Sequence, residues 1–299
     1  MNPHDKIKFD RLSIDHGLSQ SAVNCIIQDC KGFMWFGTQD GLNRFDGKKF
    51  TVYKNDKSDV STISNNFVYA LFEDKDDNLW VGTINGFNRY DRGRDRFERF
   101  MSDNEQGSFP VDHIRCIRQD IAGTIYLATY GGGLTMFDLN SEMFNTIGYE
   151  SGKLDGLSYG KLNCIHIMDD GNILIGTWGG GLDLYDVASR KFRKVMLVQK
   201  EEDSISHRRI NHISSDNDKN IWVSTNGSLV RFDHTASNPE RQILPSKISE
   251  QEAELISCSK HDSLGNQWIG TREKGLWLKK NGEERFVNYV HDEIRTDSI

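Results

Sequence analysis

The chain has 299 residues, 36% of them hydrophobic, and carries 37 Lys and Arg against 44 Asp and Glu, a net charge of −7. That balance lacks the cationic stripe that a phosphate backbone requires, which argues against a nucleic-acid partner. Only 4 Pro, 5 Cys with no C-x-x-C pair, and no run of roughly 18 apolar residues argue against a collagen-like chain, a disulfide scaffold and a membrane span.

In chain order, the first element is Ile-Lys-Phe-Asp-Arg-Leu at 7–12, which reads as an outer β-strand similar to Lys-Lys-Phe-Thr-Val-Tyr at 48–53. The residues before it hold no apolar region of a signal peptide. An apolar strand is then expected at 23–29, a turn at Cys30-Lys31-Gly32, and an aromatic-rich strand at 33–38. Gln39-Asp40-Gly41 is a hairpin turn, followed by strands at 42–46 and 49–54. The phrase then recurs. Its marker threonines are Thr38, Thr83, Thr129, Thr177, Thr225 and Thr271, spaced by 45, 46, 48, 48 and 46 residues. No window has a sustained helical period.

Four antiparallel strands at that interval suit a β-propeller blade. The Gly-His and Trp-Asp marks of WD40 repeats are missing, and the paired glycines of kelch repeats do not fit all six units. The expected fold is all-β: one β-propeller domain over 1–299, with six complete four-stranded blades plus one N-terminal strand of a seventh. The blades are placed at 21–54, 66–100, 112–147, 161–197, 209–244 and 254–290, with 7–12 as the outer strand of the incomplete seventh. Asp297-Ser298-Ile299 matches Asp203-Ser204-Ile205 at the start of an inner strand, so the rest of a seventh blade is expected beyond the chain; a six-bladed ring with an extra edge strand is the alternative.

Two repeat positions have a packing logic. Three residues before each threonine stand Trp35, Trp80, Tyr126, Leu174, Trp222 and Trp268, large side chains that fill the gap between blades. Thirteen before stand Cys25, Ala70, Cys116, Cys164, His212 and Cys258. Blade spacing holds these too far apart for a shared metal or a disulfide, so the position is read as a small residue on a crowded inner strand.

The stretch VYALFEDKDDNLWVGTINGFNRYD at 68–91 resembles the two-component-regulator propeller repeat, and CIHIMDDGNILIGTWGGGLDLYD at 164–186 is a second close copy. Ala128 and Ser224 replace the glycine before threonine, and the sixth unit lacks its Phe-Asp. The resemblance implies the sensor region of a hybrid two-component system histidine kinase and response regulator. It implies a periplasmic location, further propeller, β-sandwich and kinase parts of the same receptor, dimerisation, and an oligosaccharide ligand derived from glycan breakdown. It gives this chain no kinase activity.

Loops at 55–65, 102–112 and 148–160 are longer than a connection needs, which marks their end of the blades as the binding end. Gln39, Ile84, Tyr130, Trp178, Asn226 and Arg272 follow the threonines there. Tyr130 and Trp178 are candidates to stack on a sugar and Arg272 to hold a carboxylate or sulfate in bidentate fashion, with Gln39 and Asn226 as further candidate ligand-binding residues. His113, Arg115, Lys161, Arg208 and Arg209 begin inner strands at the same end and favour an anionic ligand. No catalytic residue, metal or cofactor is expected. Asp74-Lys75-Asp76-Asp77-Asn78 and Asp216-Asn217-Asp218-Lys219-Asn220 lack the Gly and Glu of a calcium loop and read as turns. The triple glycines at 131–133 and 179–181 precede strands instead of helices, so they read as tight turns and not phosphate loops. His166 reads as a core histidine. A ligand sensor is the leading function; a protein-interaction platform and a propeller lyase or hydrolase are the alternatives.

Overall fold

In the computed structural model, residues 7, 9–101, 113–197, 208–226, 228–242 and 256–291 are described. They form 24 strands and one turn of 3-10 helix, Ile14–His16. Blade 1 comprises β1 (Val23–Gln28), β2 (Met34–Thr38), β3 (Gly41–Phe45) and β4 (Phe50–Tyr53). Blade 2 comprises β5 (Val68–Glu73), β6 (Leu79–Thr83), β7 (Gly86–Asp91) and β8 (Arg96–Phe100). Blade 3 comprises β9 (Ile114–Gln119), β10 (Ile125–Thr129), β11 (Leu134–Asp138) and β12 (Met143–Ile147). Blade 4 comprises β13 (Leu162–Ile167), β14 (Ile173–Thr177), β15 (Leu182–Asp186) and β16 (Lys191–Val195). Blade 5 comprises β17 (Ile210–Ser215), β18 (Ile221–Thr225), β19 (Leu229–Phe232) and β20 (Glu240–Arg241). Blade 6 comprises β21 (Ile256–His261), β22 (Gln267–Thr271), β23 (Leu276–Lys279) and β24 (Phe286–Tyr289). Each sheet runs antiparallel in chain order, so the fold is an all-β propeller of six four-stranded blades.

The chain divides into two compact units. The larger spans Ser13–Met196 with Arg208–Ile210 and holds blades 1 to 4. The smaller holds Met1–Leu12, Leu197–His207 and Asn211–Ile299, and with them blade 6 and most of blade 5.

Among the described residues of the segment 7–12 no strand is formed. Ile7 and Phe9–Leu12 carry no ladder, and Phe9 instead packs edge-on against Tyr289 at 5.2 Å between ring centroids. An outer strand must pair with a third strand, and all six third strands already pair with their own fourth. The loop at 102–112 and the matching segments 203–205 and 297–299 lie outside the described residues.

The repeat residues have defined physical roles. Each marker threonine donates its hydroxyl across the second hairpin: Thr38 to the Gly41 carbonyl at 2.9 Å, Thr83 to Gly86 at 3.1 Å, Thr129 to Gly133 at 2.8 Å and Thr177 to Gly181 at 2.9 Å. Thr225 does so to Ser228 and Thr271 to Gly275. A buried hydroxyl needs such a partner, and this one also closes the turn.

The indoles are anchored as well as packed. Trp35 Nε1 donates to Asp29 at 2.8 Å, Trp80 to Asp74 at 2.7 Å, Trp222 to Asp216 at 2.9 Å and Trp268 to Asp262 at 3.0 Å. In blade 3 the Tyr126 hydroxyl donates to Asp120. Blade 4 has Leu174 and Met168 at the two positions, so donor and acceptor change together and neither is left unsatisfied. The same aspartates cap the first hairpin. Asp74 and Asp216 accept backbone N–H groups two and four residues on, which makes both Asp-rich segments turns.

The small inner-strand position lies opposite the glycine before threonine: Cys25 opposite Gly37, Ala70 opposite Gly82, Cys116 opposite Ala128 and Cys164 opposite Gly176. Burial pushes the Cys25 thiol up to about 12, so it behaves as a small hydrophobe. Each glycine also receives the first residue of the next inner strand. A β-carbon on Gly176 would lie 2.5 Å from Cys164 Sγ and 2.6 Å from Ile210 Cγ2. Blade 3 carries Ala128 here, so the position admits a β-carbon only where its neighbours leave room. Gly176→Ala is expected to cost about 1–3 kcal/mol by overpacking. The check is a lower urea midpoint at an unchanged m-value.

Blade 1 has no preceding blade within its unit. Val23 and Ile26 are accordingly 36% and 57% exposed, where their blade 2 and blade 3 counterparts Val68, Ile114 and Ile117 are fully buried.

Blades 1 and 2 are latched at the opposite end of the inner strands. Arg92 pairs with the buried Asp29 at 2.7 Å and with Glu73 at 2.5 Å. Burial alone would raise the Asp29 carboxyl, but Arg92, the Trp35 N–H and the Phe33 amide outweigh it and hold it below its ordinary value. A carboxyl depressed on folding contributes stability above its unfolded pKa, near 4, and loses it as pH falls through the folded value. Arg92→Ala is therefore expected to destabilise the protein at pH 7, by less than the ~3–5 kcal/mol of a fully buried pair. The cost is expected to shrink as the pH falls through the depressed folded value and Asp29 takes up a proton. Denaturant unfolding across that pH range reads the difference.

Candidate functional site

The backbone of the larger unit brings the residues after the threonines against those before the inner strands. Tyr130 N donates to the His113 carbonyl at 2.9 Å, Trp178 N to the Lys161 carbonyl at 2.9 Å, and Gly181 N to the Arg208 carbonyl at 2.8 Å. Tyr130 and Lys161 also form a single antiparallel bridge. The tight turns that follow use Gly131, Gly133 and Gly181 at positive φ, which spares the chain a β-carbon penalty and lets β11 and β15 start at once.

The side chains form an alternating array of aromatic rings and cations. His113 stacks on Tyr130 at 5.9 Å and 15°, and on Tyr69 at 6.1 Å and 19°. The Arg115 guanidinium lies 4.1 Å from the Tyr69 ring centroid, 5.9 Å from Tyr130 and 5.8 Å from Trp178. Lys161 Nζ is 4.7 Å from the Tyr130 centroid. Arg209 is 3.4 Å from the Trp178 centroid, and Tyr130 meets Trp178 edge-on at 5.5 Å. Ring quadrupoles hold such cations without neutralising them. All seven residues are half-buried. Among the described residues, neither Arg115 nor Lys161 pairs with a carboxylate.

Six of the ten expected site residues thus meet: His113, Arg115, Tyr130, Lys161, Trp178 and Arg209. Gln39 is exposed, with no contact to the array. Arg208 is exposed and contributes its carbonyl. Asn226 and Arg272 belong to the smaller unit, where Asn226 accepts from Asn211 at 3.0 Å and Arg272 is exposed. Trp178 does not present a bare platform, because Arg209 covers one face of its indole.

Two members escaped the sequence reading, Tyr69 and Asn163. Asn163 Oδ1 accepts from Arg115 Nε at 3.3 Å and Nη2 at 3.2 Å, while its Nδ2 donates to the Ile210 carbonyl at 2.8 Å. Both stand fourteen residues before a marker threonine, a position that reads Asn24, Tyr69, Arg115, Asn163, Asn211 and Ser257 along the chain. The departure from Asn was the available signal for Tyr69, whereas Asn163 keeps the repeat residue and offered none.

A cavity of about 860 Å³ on the outer part of blade 2 is also rich in arginine. There Arg89 is held by Glu98 at 2.5 Å, Arg92 by Asp29 and Glu73, and Arg94 by Asp91 at 3.4 Å. Lys31 and Arg96 complete the cationic lining, but Asp76, Asp77, Asp91 and Glu98 share it, so the charge there is largely balanced and this cavity is a weaker anion site than the array.

The family of the two component regulator propeller matches residues 62–85 and 204–227, the segments that lead through the inner strands of blades 2 and 5 to their marker threonines. The chain carries two component regulator propeller repeats. In these repeats the matched blocks hold the anchored Trp80 and Trp222 and their aspartates. A 48-residue stretch is 54% identical to histidine kinase P4 of Formosa agariphila, covering 16% of this chain and 4% of that protein. The extracellular domain of a putative hybrid two component system from B. thetaiotaomicron superposes over 97% of this chain and 37% of its own, with a TM-score of 0.81 and 22% identity. Virginiamycin B lyase from Staphylococcus aureus superposes over 92% of this chain and 86% of its own, with a TM-score of 0.68 and 14% identity. The chain therefore spans little more than a third of the hybrid-system domain it resembles. At these identities the likeness is one of fold, shared by an extracellular domain of a putative hybrid system and by a lyase. No helix among the described residues is long and apolar enough to cross a membrane.

Proposed function

We propose that this chain is the extracytoplasmic ligand-sensing propeller of a longer two-component receptor, and that it recognises an anionic oligosaccharide released by glycan breakdown. The observation that carries the reading is the array itself: Arg115 and Lys161 rest on aromatic rings with no carboxylate partner among the described residues, in a protein of net charge −7. Uronate or sulfate groups suit those donors, through charge-assisted hydrogen bonds. The rings supply the apolar borders that a sugar face packs against. The receptor reading draws on the propeller repeats and on the hybrid-system domain of like fold. Its further parts and a dimeric state belong to the same proposal. Binding without turnover is the role assigned to the array.

A second reading has its own support. Val60 and Leu154 stand eight residues before the first residues of β5 and β13, in equivalent loops, and are 77% and 103% exposed. Two apolar tips at one repeat position suit a protein partner.

The test is calorimetric titration with uronate-containing, sulfated and neutral oligosaccharides at low and high salt. Salt-sensitive binding of one anionic class supports the sensor. Equal binding of neutral sugars, or no binding by folded protein, overturns it.

A further inference from the structure

The position fourteen residues before each threonine has a structural duty. Asn24 Nδ2 donates to the Val68 carbonyl at 2.9 Å, Asn163 to Ile210 at 2.8 Å and Asn211 to Ile256 at 2.7 Å. Each acceptor opens the next inner strand, so the asparagine is a clamp from one blade to its successor. The clamp residue is absent at two consecutive junctions, where Tyr69 and Arg115 take its place, and both are in the aromatic–cation array. A repeat that abandons a stabilising residue at two adjacent places is trading stability for something local.

We propose that Arg115 replaces the clamp in order to seat the ligand's anionic group, which makes the junction of blades 3 and 4 the ligand-sensitive joint of the propeller. This rests on the reading that the array binds an anion. Arg115 sits flat on Tyr69 and points two N–H groups at the single Oδ1 of Asn163, at 3.3 and 3.2 Å. Those bonds are long and share one acceptor, whereas a carboxylate or sulfate offers charge-assisted bonds of about 2.7–2.9 Å. The anion competes for a guanidinium that bridges two blades. Asn163 in turn holds the carbonyl of Ile210, in the same compact unit, so the change at Arg115 is passed on to that residue through one amide. The ligand thereby makes different contacts with the bridged and released arrangements, as a population shift requires.

Arg115→Asn tests this, because the repeat already accepts asparagine there in three blades. The variant is expected to regain the clamp to Leu162 and melt about 2–4 °C higher, the shift one net hydrogen bond gives in a domain of this size. Its affinity for the anionic oligosaccharide that binds the native chain most tightly is expected to fall at least ~10-fold. Hydrogen exchange in Leu162–Ile167, slowed by that ligand in the native chain, is expected to stop responding in the variant. Native-like affinity in Arg115→Asn, or a lower melting temperature, overturns the proposal while leaving the site reading intact. Failure of the native chain to bind any anionic probe overturns the site reading and the proposal together.

Discussion

Trp80→Ala is expected to destabilise the protein by about 3–5 kcal/mol, the range for truncating a buried aromatic. Trp80 is fully buried, stacks on Phe87 at 4.6 Å and 10°, and meets Phe137 of blade 3 edge-on at 5.6 Å. Its removal opens a cavity between two blades and strips the buried Asp74 of its indole donor. Trp80→Phe separates the two losses. It keeps a ring in the gap, so the remaining cost is mainly that of one lost hydrogen bond to a carboxylate that still accepts from the Asp76 and Asn78 amides and from Asn78 Nδ2, about 0.5–1.5 kcal/mol. Trp268→Ala is expected to cost less than Trp80→Ala, because Trp268 is only half-buried. Urea unfolding of the variants side by side gives the ranking. Equal losses at Trp80 and Trp268 would mean that interblade packing is not what these residues supply.

Lys161→Glu is expected to weaken an anionic oligosaccharide at least ~100-fold. The change removes a charge-assisted bond worth about 1.5–3 kcal/mol and places a repelling carboxylate in the seat. Lys161 Nζ contacts the Tyr130 ring and no described carboxylate, so the fold loses little. Arg94→Glu, on the mixed-charge cavity of blade 2, serves as the control and is expected to bind as the native chain does. Trp178→Ala is expected to weaken binding less than Lys161→Glu, because its indole positions Arg209 and Arg115 as much as it meets ligand. If Trp178→Ala proves the more damaging, stacking dominates recognition and charge is secondary.

The two halves of the site differed in how readable they were. Tyr130 and Trp178 stood out because each follows a marker threonine and is followed by glycines, and His113, Arg115, Lys161 and Arg209 because they are charged or basic residues at the entries to inner strands. Those positions follow from the repeat alone. Tyr69 and Asn163 hold the same strand position as Arg115 but carry no charge to mark them. Gln39, Asn226 and Arg272 share the repeat position of Tyr130 and Trp178 but not its company. Which copies of a repeat position converge depends on the side chains of neighbouring blades, and no single copy carries that information.

By itself the sequence determined the blade. Its period, its hairpin turns and its paired Asp and Trp are local or nearly local constraints, because strand pairing within a blade joins consecutive segments. Tertiary structure decided what happens between blades: that Arg209 covers Trp178, that Arg115 leans on Asn163, that Arg92 locks Asp29, and that Phe9 packs on Tyr289 of blade 6. These contacts join residues far apart in the chain, chosen by side-chain reach and charge after the backbone is in place. A repeat spacing specifies where each side chain starts and leaves open which partner it finds.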